Sequence, residues 1–179
     1  MKTNALLKSI FLSVLTAFAL AQVARAADVT VKIADVHLCC GHCLLGVTNA
    51  VSGISGVTVA PDKEAQIVEI TGPDTATVQK AADALVAAGF YGTSSSPDIK
   101  INNDTGAKGV KVQSLKVENV HLCCPKCVKA VNAALKDVPG VTGNTAAKGA
   151  KEFIVTGDFT DSEVFAALQK IGLTGKVGQ

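Results

Sequence analysis

The chain has 179 residues, with 17 Lys and Arg against 15 Asp and Glu, no tryptophan and one tyrosine. Three of those 17 cations, Lys2, Lys8 and Arg25, lie in the first 26 positions, leaving 14 against 15 for the rest, a net charge of −1. So even a balance argues against nucleic acid or an anionic membrane surface as partner, because both select clustered positive charge.

Residues 1–26 read as a signal peptide. Lys2 and Lys8 give a charged start, Ile10 to Ala21 is apolar apart from Ser13 and Thr16, and Ala24-Arg25-Ala26 supplies small residues for cleavage. The apolar run is shorter than the roughly 20 residues of a bilayer span. The expectation is an exported protein, periplasmic or extracellular, that begins near Ala27 and has no later membrane span.

Val29, Val31 and Ile33 then alternate with polar residues as in a half-buried strand. After a cysteine-rich loop, the spacing of Leu44, Val47 and Val51 predicts a helix over about 43–52, ended by Gly53 and Gly56. Residues 56–60 and 65–71 read as strands around a Pro61-Asp62-Lys63 turn. Gly72-Pro73-Asp74 opens a second helix, capped by Asp74 or Thr75, with Val78, Ala82 and Leu85 facing inward. Gly89 closes it before an extended segment from Phe90.

The pattern then repeats. A shift of 84 positions carries Val36-His37-Leu38-Cys39-Cys40 onto Val120-His121-Leu122-Cys123-Cys124, and Leu44, Val47, Val51 and Ile54 onto Val128, Val131, Leu135 and Val138. In the second copy, strands are expected near 115–120, 141–146 and 152–156, and helices over about 125–136 and 161–170. Pro125 suits a first helical turn. Strand, helix, strand, strand, helix, strand is the split βαβ order. The predicted class is α+β: two tandem ferredoxin-like βαββαβ modules, each an antiparallel sheet with two helices on one face. We place them at 27–99 and 113–179, joined by a loop-forming linker at 100–112 that should let them move relative to one another.

All six cysteines and all three histidines lie in the paired loops, His37-Leu38-Cys39-Cys40-Gly41-His42-Cys43 and His121-Leu122-Cys123-Cys124-Pro125-Lys126-Cys127. Two thiols separated by two residues, the second at a helix start, can converge on one ion. The helix dipole and the free amides of its first turn favour the thiolate there. Thiolates bind soft ions such as Cu(I); a near-linear pair suits Cu(I) or Hg(II), whereas Zn(II) takes four ligands.

Both copies resemble heavy-metal-associated domains, the family of copper chaperones, metal-binding modules of metal-pumping ATPases and periplasmic mercury-binding proteins. That family carries Gly-Met-x-Cys-x-x-Cys between its first strand and first helix. The resemblance implies metal ligation by Cys40 and Cys43 in one module and Cys124 and Cys127 in the other, and a metal-transporting or metal-accepting protein as partner. Here His-Leu replaces Gly-Met, and Cys39 and Cys123 precede the first motif cysteine. These extra thiols are either additional ligands for Zn(II) or Hg(II), with His37 or His121 completing a Cys₃His set, or small buried residues of the strand.

The expected function is non-enzymatic: an exported protein that carries or sequesters a thiophilic ion, Cu(I) first, through one CxxC site per module. Two alternatives stay open, thiol–disulfide exchange and a protein-interaction module with oxidised loops. Cys40-Gly41-His42-Cys43 matches the active tetrapeptide of protein disulfide isomerases, but each copy is too short for a thioredoxin fold. Lys126, Lys129 and Lys136 would suit an acidic partner.

Overall fold

The computed structural model describes residues 27–179, so the signal-peptide reading of 1–26 lies outside the described residues. The first module contains β1 (Val29–Ala34), α1 (Gly41–Val51), β2 (Thr58–Asp62), β3 (Ile67–Gly72), α2 (Thr75–Ala87) and β4 (Thr93–Ser94). The second contains β5 (Lys111–Glu118), α3 (Pro125–Lys136), β6 (Val141–Asn144), β7 (Glu152–Thr160), α4 (Asp161–Lys170) and β8 (Lys176–Val177). Each sheet is antiparallel, in the orders β2-β3-β1-β4 and β6-β7-β5-β8. The fold is α+β, two ferredoxin-like modules in tandem.

Alternation along the strands decides which face each sheet buries. Val31 and Ile33 of β1 and Val68 and Ile70 of β3 point inward and are buried, with Val47 and Val51 of α1 and Val78, Ala82 and Leu85 of α2 packed on them. On the opposite face the cross-strand partners are polar. Thr30 and Thr71 share a 2.8 Å hydroxyl hydrogen bond, and Lys32 lies 3.7 Å from Glu69. A helix face buried in this way contributes about 1.5–3 kcal/mol for each large apolar side chain, which is the main source of stability in modules of this size.

Two local expectations shift, and a third, the cap of the second helix, is narrowed to one residue. α1 begins at Gly41, not Cys43, because Cys40 takes extended backbone and its carbonyl already accepts from the Cys43 amide at 2.9 Å. Pro61 and Asp62 belong to β2, which is an edge strand and tolerates a proline that cannot donate. The turn falls two residues later, where the Asp62 carboxylate accepts from the amides of Glu64 and Ala65 at 2.9 and 3.0 Å. The cap of α2 is Asp74, accepting from the Thr77 amide at 2.7 Å.

Residues 100–112, expected as a loop-forming linker, are hydrogen-bonded to both modules. Ile99 is 2% exposed, and Gln79 of α2 both donates to and accepts from the Lys100 backbone. Further on, the Thr174 hydroxyl bonds the Asn103 side chain, Thr105 accepts from the Val177 amide, and the Asp161 carboxylate takes the amides of Lys108 and Val110. Polar residues that look loop-forming in sequence serve here as hydrogen-bonding groups for both modules.

The modules also dock directly. Gly89 and Gly172, at the ends of α2 and α4, have φ of +88° and +74°. A Cβ on Gly89 would collide with the Asn119 carbonyl and the His121 amide, and one on Gly172 with the Asp35 carbonyl and the His37 amide. Each glycine therefore fits the other module's loop, in an exchange that mirrors the sequence repeat. Backbone bonds follow: His37 and Tyr91 donate to the Gly172 carbonyl at 3.1 Å, and Thr174 donates to that of Gly89 at 3.0 Å. Phe90 pairs with Leu173 as an antiparallel bridge and lies 4.5 Å from the His121 ring.

Candidate metal centre

Each cysteine loop leaves its strand through a residue in left-handed backbone, Asp35 in one copy and Asn119 in the other, both at φ 62°. Asx residues tolerate this conformation, and it redirects the chain away from the end of the inner strand. Leu38 and Leu122 then anchor the loops in the core. In the first module Gln66 clamps Leu38 by both backbone groups, its side-chain oxygen accepting from the amide and its nitrogen donating to the carbonyl, each at 3.1 Å. Cys40 and Cys124 are extended helix caps, and Cys43 and Cys127 are fully buried in the first turns of α1 and α3. Neither cap residue satisfies the first-turn amides with its side chain. The positive ends of both helices are thus available to thiolates.

The sequence treats the loops as two separate thiol pairs; the structure gathers all six sulfurs into one group. Cys39 Sγ lies 3.4 Å from both Cys124 Sγ and Cys127 Sγ, as close as or closer than to any thiol of its own loop. Cys123 Sγ lies 3.7 Å from Cys40 Sγ and 3.6 Å from Cys43 Sγ. Within loops, Cys40–Cys43 is 3.8 Å and Cys124–Cys127 is 3.7 Å. All six are free thiols. The physical reason is the docking just described: two loops at equivalent ends of duplicated modules meet when those ends pack together. Cys39 and Cys123 are therefore in the group as bridges between modules, not as residues buried within a strand.

Charge within the group is limited. Hydrogen bonding from the Cys127 thiol is the largest influence on Cys43 and holds it well below the ordinary thiol range, with burial opposing and His121 assisting. The same bond to Cys43 pushes Cys127 up. Since the repeat makes these two residues equivalent, we read the result as one thiolate shared between them. Burial pushes Cys39 up to about 12 and also raises Cys123. At Cys124 burial is outweighed by the Cys127 amide and the neighbouring thiols, bringing it down to about 6. Ionising the remaining thiols requires a cation among them.

His37 is brought within ligand distance of Cys39 and of Cys127 in the other module, rather than joining its own CxxC pair as a Cys₃His set would need. Burial lowers its pKa, which favours the neutral imidazole. The Nε2 atoms of His37 and His121 are buried without a hydrogen-bond partner. His42 is exposed. Among the described residues, the groups in mutual ligand reach have three members each. Gln66, Gly89 and Gly172 are the supporting residues that sequence reading missed as such. The glycines were visible as helix ends, but a lone glutamine in a hairpin turn carries no signal.

No protein-family model matches the chain, and no curated protein matches it. Solved structures give distant likenesses. A copper-binding domain from HMA7, a P-type ATPase, is 20% identical with a TM-score of 0.35, over 38% of this chain and 96% of that one. The N-terminal soluble domains of CopA from Bacillus subtilis are 15% identical with a TM-score of 0.32, over 86% and 95%. The first two RRM domains of the yeast poly(U)-binding protein Pub1 are 14% identical with a TM-score of 0.26, over 84% and 98%. Likenesses this weak carry no functional weight. Among the described residues, no helix is long and apolar enough to cross a membrane.

Proposed function

We propose that the two modules together hold a thiophilic metal, Cu(I) by preference over Zn(II) or Hg(II), at a single centre built from Cys39, Cys40, Cys43, Cys123, Cys124 and Cys127. The observation that carries this reading is the convergence of six thiols from duplicated loops to separations of 3.4–3.8 Å. An all-sulfur donor set selects soft ions. The role is binding, not catalysis. Sequestration fits better than rapid handing-on, because Cys43 and Cys127 are fully buried and the others are only half-exposed between the modules. Residues 1–26 would export the protein to the periplasm or the extracellular space, where it would hold the ion away from other thiols. If it gives the ion up to a metal-transporting or metal-accepting protein, the exposed Lys126, Lys129 and Lys136 of α3 suit an acidic docking face.

Native mass spectrometry of the reduced protein, offered Cu(I) and Zn(II) together, tests the reading. Retention of copper by the parent and its loss when Cys40, Cys43, Cys124 and Cys127 are changed to Ser is the expected result. A reduced parent that holds neither ion, nor Hg(II), would remove the metal-binding reading.

A further inference from the structure

We propose that the six sulfurs form one cage for four Cu(I) ions, each ion held by three thiolates and each thiolate shared by two ions. This deepens, and rests on, the reading that the centre binds a thiophilic metal.

The pattern of neighbouring sulfurs carries the inference. Cys39 lies against Cys40, Cys43, Cys124 and Cys127 but not Cys123. Cys40 lies against Cys39, Cys43, Cys123 and Cys124 but not Cys127. Cys43 Sγ lies 3.7 Å from Cys39, 3.8 Å from Cys40 and 3.6 Å from Cys123, and its ionisation is governed by Cys127 and not by Cys124. Every sulfur thus neighbours all the others except one, and the opposed pairs, Cys39/Cys123, Cys40/Cys127 and Cys43/Cys124, share no member. That is the connectivity of an octahedron.

Its alternate faces are mutually reaching triads. Three are Cys39-Cys40-Cys124, Cys40-Cys43-Cys123 and Cys123-Cys124-Cys127. The fourth is Cys39-Cys43-Cys127, joined through Cys39 Sγ, which lies 3.7 Å from Cys43 Sγ and 3.4 Å from Cys127 Sγ, with Cys127 the group that most strongly lowers the Cys43 pKa. Each cysteine belongs to two of these four faces.

Coordination preference selects the ion. Any four of the six sulfurs include an opposed pair, so the cage offers no compact four-sulfur site of the kind Zn(II) takes. Closed-shell Cu(I) accepts three thiolates. With a metal–thiolate bond of about 2.3 Å, two sulfurs stand about 4.6 Å apart across a linear centre and about 4.0 Å apart around a trigonal one. The observed 3.4–3.8 Å excludes a linear pair and lies beside both the trigonal value and the tetrahedral one of about 3.8 Å; the lack of four mutually close sulfurs then selects three-coordination, and neither CxxC pair is set apart from the rest.

The charges also balance. With all six sulfurs as thiolates, four Cu(I) ions leave a cluster of net charge −2, every thiol proton still present being released on loading, and that charge faces the N-termini of α1 and α3, each worth roughly half a positive charge. Divalent ions on the same four faces would leave +2 against those positive ends.

The test is anaerobic titration of the reduced protein with Cu(I) under a competing chelator, read by native mass spectrometry, with X-ray absorption on the loaded protein. The expected result is saturation at four ions, copper scatterers around each copper, and saturation at no more than two ions in Cys39→Ser, which removes one corner from two faces. Saturation of the parent at two ions, with no copper–copper scattering and no response to Cys39→Ser, would overturn the cage while leaving metal binding intact. Failure to bind Cu(I) at all would overturn both. Because the parent's own stoichiometry and scattering decide the matter, a variant that fails to fold does not rescue the proposal.

Discussion

Asp161 shows how much a single carboxylate can organise. It is 5% exposed, opens α4, and accepts from the amides of Lys108 at 2.9 Å and Val110 at 3.0 Å, so it ties the inter-module segment to the second module. Burial pushes its pKa up, but those backbone amides outweigh burial and hold the carboxyl below its usual range. A depressed folded pKa adds stability that is fully present above the unfolded value and is lost as pH falls through the folded one. We therefore expect Asp161→Asn to cost about 1–3 kcal/mol at neutral pH, since an amide cannot accept both bonds as well. The gap from the parent should close as pH drops below about 4. Denaturant unfolding of the metal-free protein at both pH values checks this; a gap that widens in acid would contradict it. Gln66 acts similarly on the first cysteine loop through its two bonds to Leu38, and the second copy has Ala150 at the equivalent position. The repeat is therefore symmetric in its thiols but not in what supports them.

At the level of elements, the ends of helices decide the geometry of the centre. α1 and α3 start at their cysteine caps, and α2 and α4 finish at glycines that accept the other module's loop. Gly172→Ala places a side chain at φ +74° and against the Asp35 carbonyl and His37 amide. The backbone strain alone is worth about 1–2 kcal/mol, before the collision is counted. We expect a lower melting temperature and faster exchange of the His37 and Tyr91 amides, which donate to Gly172, with the sheet amides of β5 and β7 still protected. Unchanged exchange at those two amides would show that the docked arrangement does not depend on this corner. Several of these ends are legible in sequence: Pro125, Asp161 and the glycine after each second helix place α3, α4 and the close of α2. The start of α1 is not, because Gly41 and His42 are poor helix formers and Cys40 caps by backbone conformation alone. The turn after β2 is misplaced because proline reads as a turn until the strand is known to lie at an edge.

For the whole molecule, the duplication and the class of fold follow from periodicity, and so does the equivalence of the two cysteine loops. What periodicity does not contain is how two copies pack. Cys39 and Cys127 are 88 positions apart, and nothing local marks them as neighbours at 3.4 Å. The linker composition suggested separation, whereas its polar groups bind both modules. If the two loops form one centre and not two, copper binding depends on both of them at once. The most direct test is Cu(I) binding by a variant in which Cys39, Cys40 and Cys43 are serine and the second loop is intact, compared with the parent under the same chelator competition. A shared centre predicts that the variant keeps well under half of the parent's copper, because every three-sulfur face but one draws on the first loop. Retention of half the parent's copper at unchanged affinity would mean that each module binds alone, and would contradict a shared centre.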